Sequence, residues 1–120
     1  MAGRLFVLIV TDDLRLERQA LCAVRAAGCL PMLGHADEDC AESLRRTRPD
    51  VVLLDTMHPY ATSPRFYEEA TELGARVIAL APDARDDDAR AMARARSSGC
   101  VTLPTEYDLV PETLRPTGLA

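Results

Sequence analysis

The chain has 120 residues and a formal net charge of −5, with 48% hydrophobic but only 4% aromatic residues. This length fits one domain, and a core made of aliphatic side chains favours a helix-covered sheet over an all-β sandwich. The negative charge argues against nucleic acid as a direct partner of the domain, because phosphate binding requires a basic face.

Apolar runs and amphipathic segments alternate along the chain. The first run, Leu5 to Val10, is too short for a signal peptide or a membrane span, so we expect a cytoplasmic protein with no membrane contact. The predicted strands are residues 5–10, 29–33, 51–54, 76–80 and 100–103. The predicted helices run from Arg15 to Ala27, from a cap at Asp37 or Asp39 to Thr47, and over residues 64–73, 85–97 and 108–115.

Glycine and proline mark the ends of these elements. Gly28 stops the first helix, Gly74 stops the third, and Ser63-Pro64 opens the third with a cap followed by proline in the first turn. Pro31 interrupts the second strand, which suits an edge of the sheet better than its centre. The four cysteines have no Cys-x-x-Cys spacing, and we expect reduced, packed thiols.

Strict alternation of strand and helix predicts an α/β fold. With right-handed crossovers it gives a doubly wound, five-stranded parallel sheet in the order 2-1-3-4-5, covered by helices on both faces, as in flavodoxin-like proteins. In this order the connection that leaves strand 1 runs toward one edge of the sheet and the connections that follow strand 3 run toward the other, so the strand order reverses between strands 1 and 3. Ligands of such sheets bind at that switch point, outside the carboxyl ends of the strands.

Acidic residues follow two of the predicted strands. Asp12 and Asp13 come after the first, and Asp55 ends the run Val51–Leu54, whose branched apolar residues suit a strand buried on both faces. Three converging carboxylates repel one another unless a cation joins them, so the pattern predicts a Mg²⁺ site. The alternative is that Asp12 and Asp13 only cap the first helix.

In these features the chain resembles the receiver domain of two-component response regulators. The resemblance covers essentially the whole chain. It is carried by the acidic residues after strand 1, the Arg-Pro-Asp-Val-Val-Leu-Leu-Asp run that ends at Asp55, Pro59, and the segment 99–104.

The resemblance implies a site and a partner. Asp55 would accept a phosphoryl group from a histidine kinase, and Mg²⁺ would be bound by Asp12, Asp55 and the backbone carbonyl of Met57, with Asp13 as a further candidate ligand. The chemistry agrees, since a carboxylate is a competent nucleophile for phosphoryl transfer when Mg²⁺ neutralises the incoming oxygens.

The chain departs from the family at several of these positions. Thr11 stands where the first of two adjacent acids is usual, so Asp12 becomes the direct ligand and Asp13 lies one place late. The switching hydroxyl expected after strand 4 falls on Ala81, and the lysine expected after strand 5 falls on Leu103. Both switch positions are therefore lost. Each missing charge-assisted hydrogen bond would be worth about 1.5–3 kcal/mol, so we expect the usual phosphate-driven switch to be weak or absent.

These departures favour an atypical receiver controlled without phosphorylation, through a small-molecule ligand, a protein partner or dimerisation. The alternative is a conventional Mg²⁺-dependent phosphoacceptor at Asp55 in a phosphorelay. We expect a receiver-like domain over residues 1–115, with residues 116–120 starting a linker to a C-terminal effector domain. The full-length protein would then be a homodimer that binds DNA only through that effector.

Two enzyme classes with related folds fit poorly, so we expect no enzyme activity. A flavodoxin-like flavoprotein needs a Ser/Thr/Gly-rich phosphate loop after strand 1, where this chain is acidic, and an aspartate phosphatase needs a second acid where Met57 stands. His58, three residues after Asp55, is a candidate pH-sensitive lid over the acidic residues. If so, His58→Ala should alter ligand or metal binding between pH 5.5 and 8.

Overall fold

The computed structural model describes residues 4–34, 40–81 and 87–103, without the side chains of residues 40 and 41. The strands are β1 (Phe6–Val10), β2 (Leu30–Leu33), β3 (Val51–Asp55), β4 (Arg76–Ala81) and β5 (Gly99–Thr102). The α-helices are α1 (Leu14–Ala26), α2 (Cys40–Thr47), α3 (Pro64–Glu72) and α4 (Asp88–Arg96). A short 3₁₀ helix, Pro59–Thr62, lies in the segment that was predicted to be a loop. The predicted helix over 108–115, the linker over 116–120 and the caps at Asp37 or Asp39 fall outside the described residues.

The five strands form one parallel sheet in the order β2-β1-β3-β4-β5, which confirms the predicted α/β topology. β1 and β3 are neighbours, with Val10 opposite Leu54 in the register. β2 lies at one edge and pairs with β1 alone, with Pro31 opposite Val7. A strand that carries proline is tolerated there because one side of an edge strand needs no ladder hydrogen bonds.

The apolar residues of each central strand alternate between two cores, one on each face of the sheet. Successive side chains of a strand point to opposite faces, so Val7 and Ile9 pack on the α1 side while Leu8 and Val10 pack against α2 and α3. In β3 all five residues are buried. This explains the continuous apolar run, because a strand covered on both faces has no solvent side.

The helix ends follow local chemistry. The carboxylate of Asp13 accepts hydrogen bonds from the backbone N–H groups of Arg15 and Leu16 and so caps α1. Gly28 follows α1 with a φ of 78°, a conformation that costs glycine little. Ser63 caps α3 through Phe66 N–H. Of the helices within the described ranges, none is long and apolar enough to cross a membrane.

Candidate functional site at the carboxyl ends of the central strands

Asp55 is the last residue of β3 and lies at the switch point of the sheet, with β1 on one side and β4 on the other. Only 3% of its surface is exposed. Both carboxylate oxygens accept a hydrogen bond from the chain itself: the Thr11 hydroxyl donates to Oδ2 at 2.7 Å, and the Met57 backbone N–H donates to Oδ1 at 2.9 Å. A buried carboxylate needs such donors, because an uncompensated charge in the interior is costly.

The two acidic residues after β1 have different surroundings. Asp13 is the cap of α1, so for this residue the capping alternative is observed. The Asp12 side chain is 65% exposed, and its Oδ1 lies 3.7 Å from Nε2 of His58. The sheet therefore brings the three predicted acids to one edge, but each side chain has its own partner.

Thr11 is a site residue whose role the sequence did not reveal. Besides donating to Asp55, its hydroxyl accepts the Asp13 backbone N–H at 3.0 Å, and so it connects the ends of β1 and β3. The sequence feature that could have indicated this role is the position of a hydroxyl residue directly between a buried strand and an acidic pair. Its bond to Asp55 depends on side-chain geometry that spacing alone does not give.

His58 is buried, with 9% exposure, and its ring caps the 3₁₀ helix: Nδ1 accepts the Tyr60 backbone N–H at 3.1 Å. A nitrogen that accepts a hydrogen bond carries no proton, so the neutral ring has its proton on Nε2, which faces Asp12. Burial lowers the pKa of His58, and the carboxylates of Asp12 and Asp55 oppose that shift. The predicted lid thus lies beside Asp12; its action as a lid stays a prediction.

A pH dependence of stability follows from His58. Its folded pKa is lower than the ordinary value of 6.5, so below that pH the unfolded chain binds more protons and the free energy of unfolding falls as pH falls. Urea unfolding of the wild type at pH 7.5 and 5.5, alongside His58→Asn, should show a larger loss in the wild type. Asparagine can accept the Tyr60 N–H without titrating, so equal losses in the two proteins would contradict this assignment.

Aromatic rings connect His58 to α3. The centroid of its ring lies 4.6 Å from that of Tyr60, Tyr60 lies 5.2 Å from Phe66, and Phe66 lies 6.0 Å from Tyr67. The Tyr67 hydroxyl donates to the backbone carbonyl of Ala61 at 2.8 Å, and burial raises the pKa of Tyr67 to about 12. We call these four side chains the aromatic row. It fixes the segment after Asp55 against the helix layer.

A narrow cleft with a volume of about 10 Å³, enough for roughly one water molecule, lies beside the acidic residues. It is lined by the ends of β1 and by residues of α2, α3 and the 3₁₀ helix, among them Thr11, Asp12, Ser43, Leu44, His58 and Tyr60. The cleft therefore brings polar groups of the site and apolar groups of the core to one opening.

No family model matches this chain, and a search of curated proteins finds no significant relative. Solved structures do match it. The signal receiver domain of a DNA-binding response regulator from Colwellia psychrerythraea has a TM-score of 0.69 at 20% identity, covering 97% of this chain and 99% of that one. A response regulator receiver protein from Burkholderia phymatum has a TM-score of 0.69 at 22% identity, covering 98% of both chains.

A third structure, the receiver domain of a sensor histidine kinase from Pseudomonas aeruginosa, has a TM-score of 0.71 at 22% identity and covers 97% of this chain and 99% of that one. That protein was solved with a magnesium ion in its active-site cleft. The fold is that of a receiver domain. Identities this low show the fold alone.

In this receiver fold, the two positions where the resemblance expects a hydroxyl and a lysine are part of the core. Ala81 ends β4, Leu103 follows β5, and both side chains have 0% exposure. The Leu103 backbone N–H donates to the Ala81 carbonyl at 2.7 Å. Leu103 packs in the apolar cluster on the α1 side of the sheet, with Leu16 and Leu80 among its members. Neither side chain can offer a hydrogen bond to a phosphoryl group.

Each carboxylate of the site lies beside a group of the chain itself. Asp13 is engaged by the amino end of α1, Asp55 accepts a bond on each oxygen, and Asp12 faces His58. Over residues 4–34, 40–81 and 87–103, no three His, Cys, Asp or Glu side chains are grouped so that they could hold a metal ion. The Met57 backbone carbonyl stays a predicted ligand.

Proposed function

We propose that this chain is a regulatory receiver domain, not an enzyme, whose output does not depend on phosphorylation of Asp55. The observation that carries this proposal is the complete burial of Ala81 and Leu103, at the positions where a phosphorylated receiver needs a hydroxyl and an ammonium group. With apolar side chains there, a phosphoryl group on Asp55 would gain no contact that pulls the β4 end or the β5 end toward it.

The energies support the same conclusion. Reversing a two-state equilibrium from 1:99 to 99:1 takes about 5.5 kcal/mol of difference in binding between the two states. Each charge-assisted hydrogen bond that Ala81 and Leu103 cannot make would supply about 1.5–3 kcal/mol. Without them, phosphorylation lacks most of the free energy that a switch requires.

The surroundings of Asp55 also disfavour its action as a nucleophile. Its oxygens are held by Thr11 and Met57, and it is 3% exposed. A nucleophile must reach an incoming phosphorus in line with the leaving group, which requires an accessible oxygen. A phosphoryl donor would have to reach the lone pairs that these two bonds leave free, on a carboxylate that is almost fully buried.

If phosphorylation of Asp55 does not control the domain, a partner or a ligand must do so. We infer that, in the cytoplasm, a protein partner, a second copy of the chain or a small-molecule ligand selects between the states of the domain. We also infer that a DNA-binding effector domain receives the output, as in the regulator to which the Colwellia psychrerythraea receiver belongs. The conventional phosphoacceptor is the alternative that the following experiment addresses.

Exposure to Mg²⁺ and beryllofluoride, which mimics a phosphoryl group on an aspartate, tests the proposal. We expect backbone amide NMR signals of residues 55–57 and 79–81 to stay unchanged in the wild type, as in an Asp55→Asn control. Saturable shifts in the wild type that Asp55→Asn abolishes would show that the site is a working phosphoacceptor, and the proposal would be wrong. Phosphorylation by acetyl phosphate, followed by intact mass, provides a second readout.

A further inference from the structure

Thr11 occupies a position where a charge would otherwise be expected. Its hydroxyl donates one hydrogen bond, to Asp55 Oδ2 at 2.7 Å, and accepts one, from the Asp13 N–H at 3.0 Å. A hydroxyl has one proton and two acceptor sites, so these two bonds fix the direction in which the proton points. The branched Cβ of threonine further limits its rotation.

The Thr11 hydroxyl replaces a repulsive contact with Asp55 by an attractive one. An acid at position 11 would add a negative charge next to the buried carboxylate of Asp55, and the two would repel each other without a cation. Threonine instead adds a proton donor. A hydrogen bond from a hydroxyl to an ionised oxygen is among the stronger types in proteins, with typical lengths of about 2.5–2.7 Å.

We propose that the Thr11 hydroxyl takes the place of a divalent cation at this site. Its donated hydrogen bond stabilises and orients the Asp55 carboxylate, so the end of β3 keeps its structure without metal, and Thr11 is the positioning residue that sets this metal-independent state. The inference goes beyond the proposed function, because it concerns how the site is held together whether or not any signal acts on it.

Two features of the surroundings agree with this role. Asp13 is withdrawn from the site by capping α1, which leaves Asp12, at the cleft, and the buried Asp55 as the remaining carboxylates. Of these, Asp12 has the His58 ring beside it, with Nε2 3.7 Å from its Oδ1. Both remaining acids thus have a polar side chain of the chain nearby.

The test is a gain of metal binding in Thr11→Asp. Without Mg²⁺ this variant should melt at a lower temperature than the wild type, and Mg²⁺ should raise its melting temperature saturably. We expect its Mg²⁺ affinity to exceed that of the wild type by about tenfold or more, as for a change in the ligand shell of a metal. Thr11→Asn, similar in size but uncharged, is the matched control, and KCl at equal ionic strength separates binding from screening.

Thr11→Ala extends the test to a case in which the aspartate variant does not fold. It frees Asp55 Oδ2 without adding charge, so Mg²⁺ should shift the Met57 amide signal in this variant and leave that signal unchanged in the wild type and in Thr11→Ser. Saturable Mg²⁺ binding by the wild type, or no gain in either variant, would overturn the inference. These readouts use Mg²⁺ alone, so they fail or succeed separately from the beryllofluoride experiment.

Discussion

Replacing Phe66 with alanine is expected to lower the free energy of unfolding by about 3–5 kcal/mol, the usual range for removing a buried aromatic ring. Phe66 is 1% exposed, lies in the core between the sheet and α3, and is the centre of the aromatic row. The loss combines the transfer of the ring out of water with the cavity that its removal leaves. Urea unfolding monitored by far-UV circular dichroism measures it.

Phe66→Leu is the matched control, because it keeps an apolar side chain and much of the volume. Its loss should be clearly smaller than that of alanine. Phe66→Ala should also shift the amide signals of His58 and Tyr60, since Tyr60 packs edge-on against the Phe66 ring and His58 against Tyr60. A loss below about 2 kcal/mol, with the His58 signal in place, would mean that the row does not support the site.

The second large effect is expected at Leu103, the position where the resemblance implies a lysine. Leu103→Ala should cost about 2–5 kcal/mol, because the side chain has 0% exposure and packs in the α1-side core. Leu103→Met, which keeps the volume, should cost less than about 1.5 kcal/mol. The same unfolding experiment measures both variants.

The outcome at Leu103 bears on function as well as stability. A cost in the core range means that this position is committed to packing and could not exchange leucine for a cation without a large penalty. If Leu103→Ala is nearly neutral, below about 1 kcal/mol, the position tolerates truncation, and burial would no longer explain why a phosphate-sensing group is absent.

The architecture was predictable because its strongest signals are local. A run such as Val51–Leu54 is apolar at every position only when both faces of a strand are covered, and Gly28 and Pro31 mark an end and an edge by their own backbone chemistry. The 3₁₀ helix was not predicted, because its cap depends on tertiary packing and not on a local signal. Its cap is the ring nitrogen of His58, which accepts from Tyr60 N–H only because tertiary packing holds the ring there.

The site was predictable in its location and less so in its bonding. Parallel order alone brings the ends of β1 and β3 together, so Asp12 and Asp55 meet at the same edge of the sheet. Which oxygen accepts from which donor depends on rotamers that no spacing encodes. Hence the sequence alone indicates only a missing acid at Thr11, whereas in the structure the Thr11 hydroxyl donates a hydrogen bond to Asp55.

Pro31 has a further consequence, for aggregation. The Leu30 N–H donates to the carbonyl of Leu5, just before β1, and the Gly34 N–H donates to that of Ile9 in β1. By alternation, the amide positions of residues 31 and 33 face outward from the sheet. Proline has no N–H, and Leu33 is left as the outward donor of β2. An incoming strand would find one of the two outward N–H donors missing, which disfavours strand addition and fibril growth at this edge. Strand addition between copies of the chain is thus disfavoured at the β2 edge, and β5 forms the other edge of the sheet.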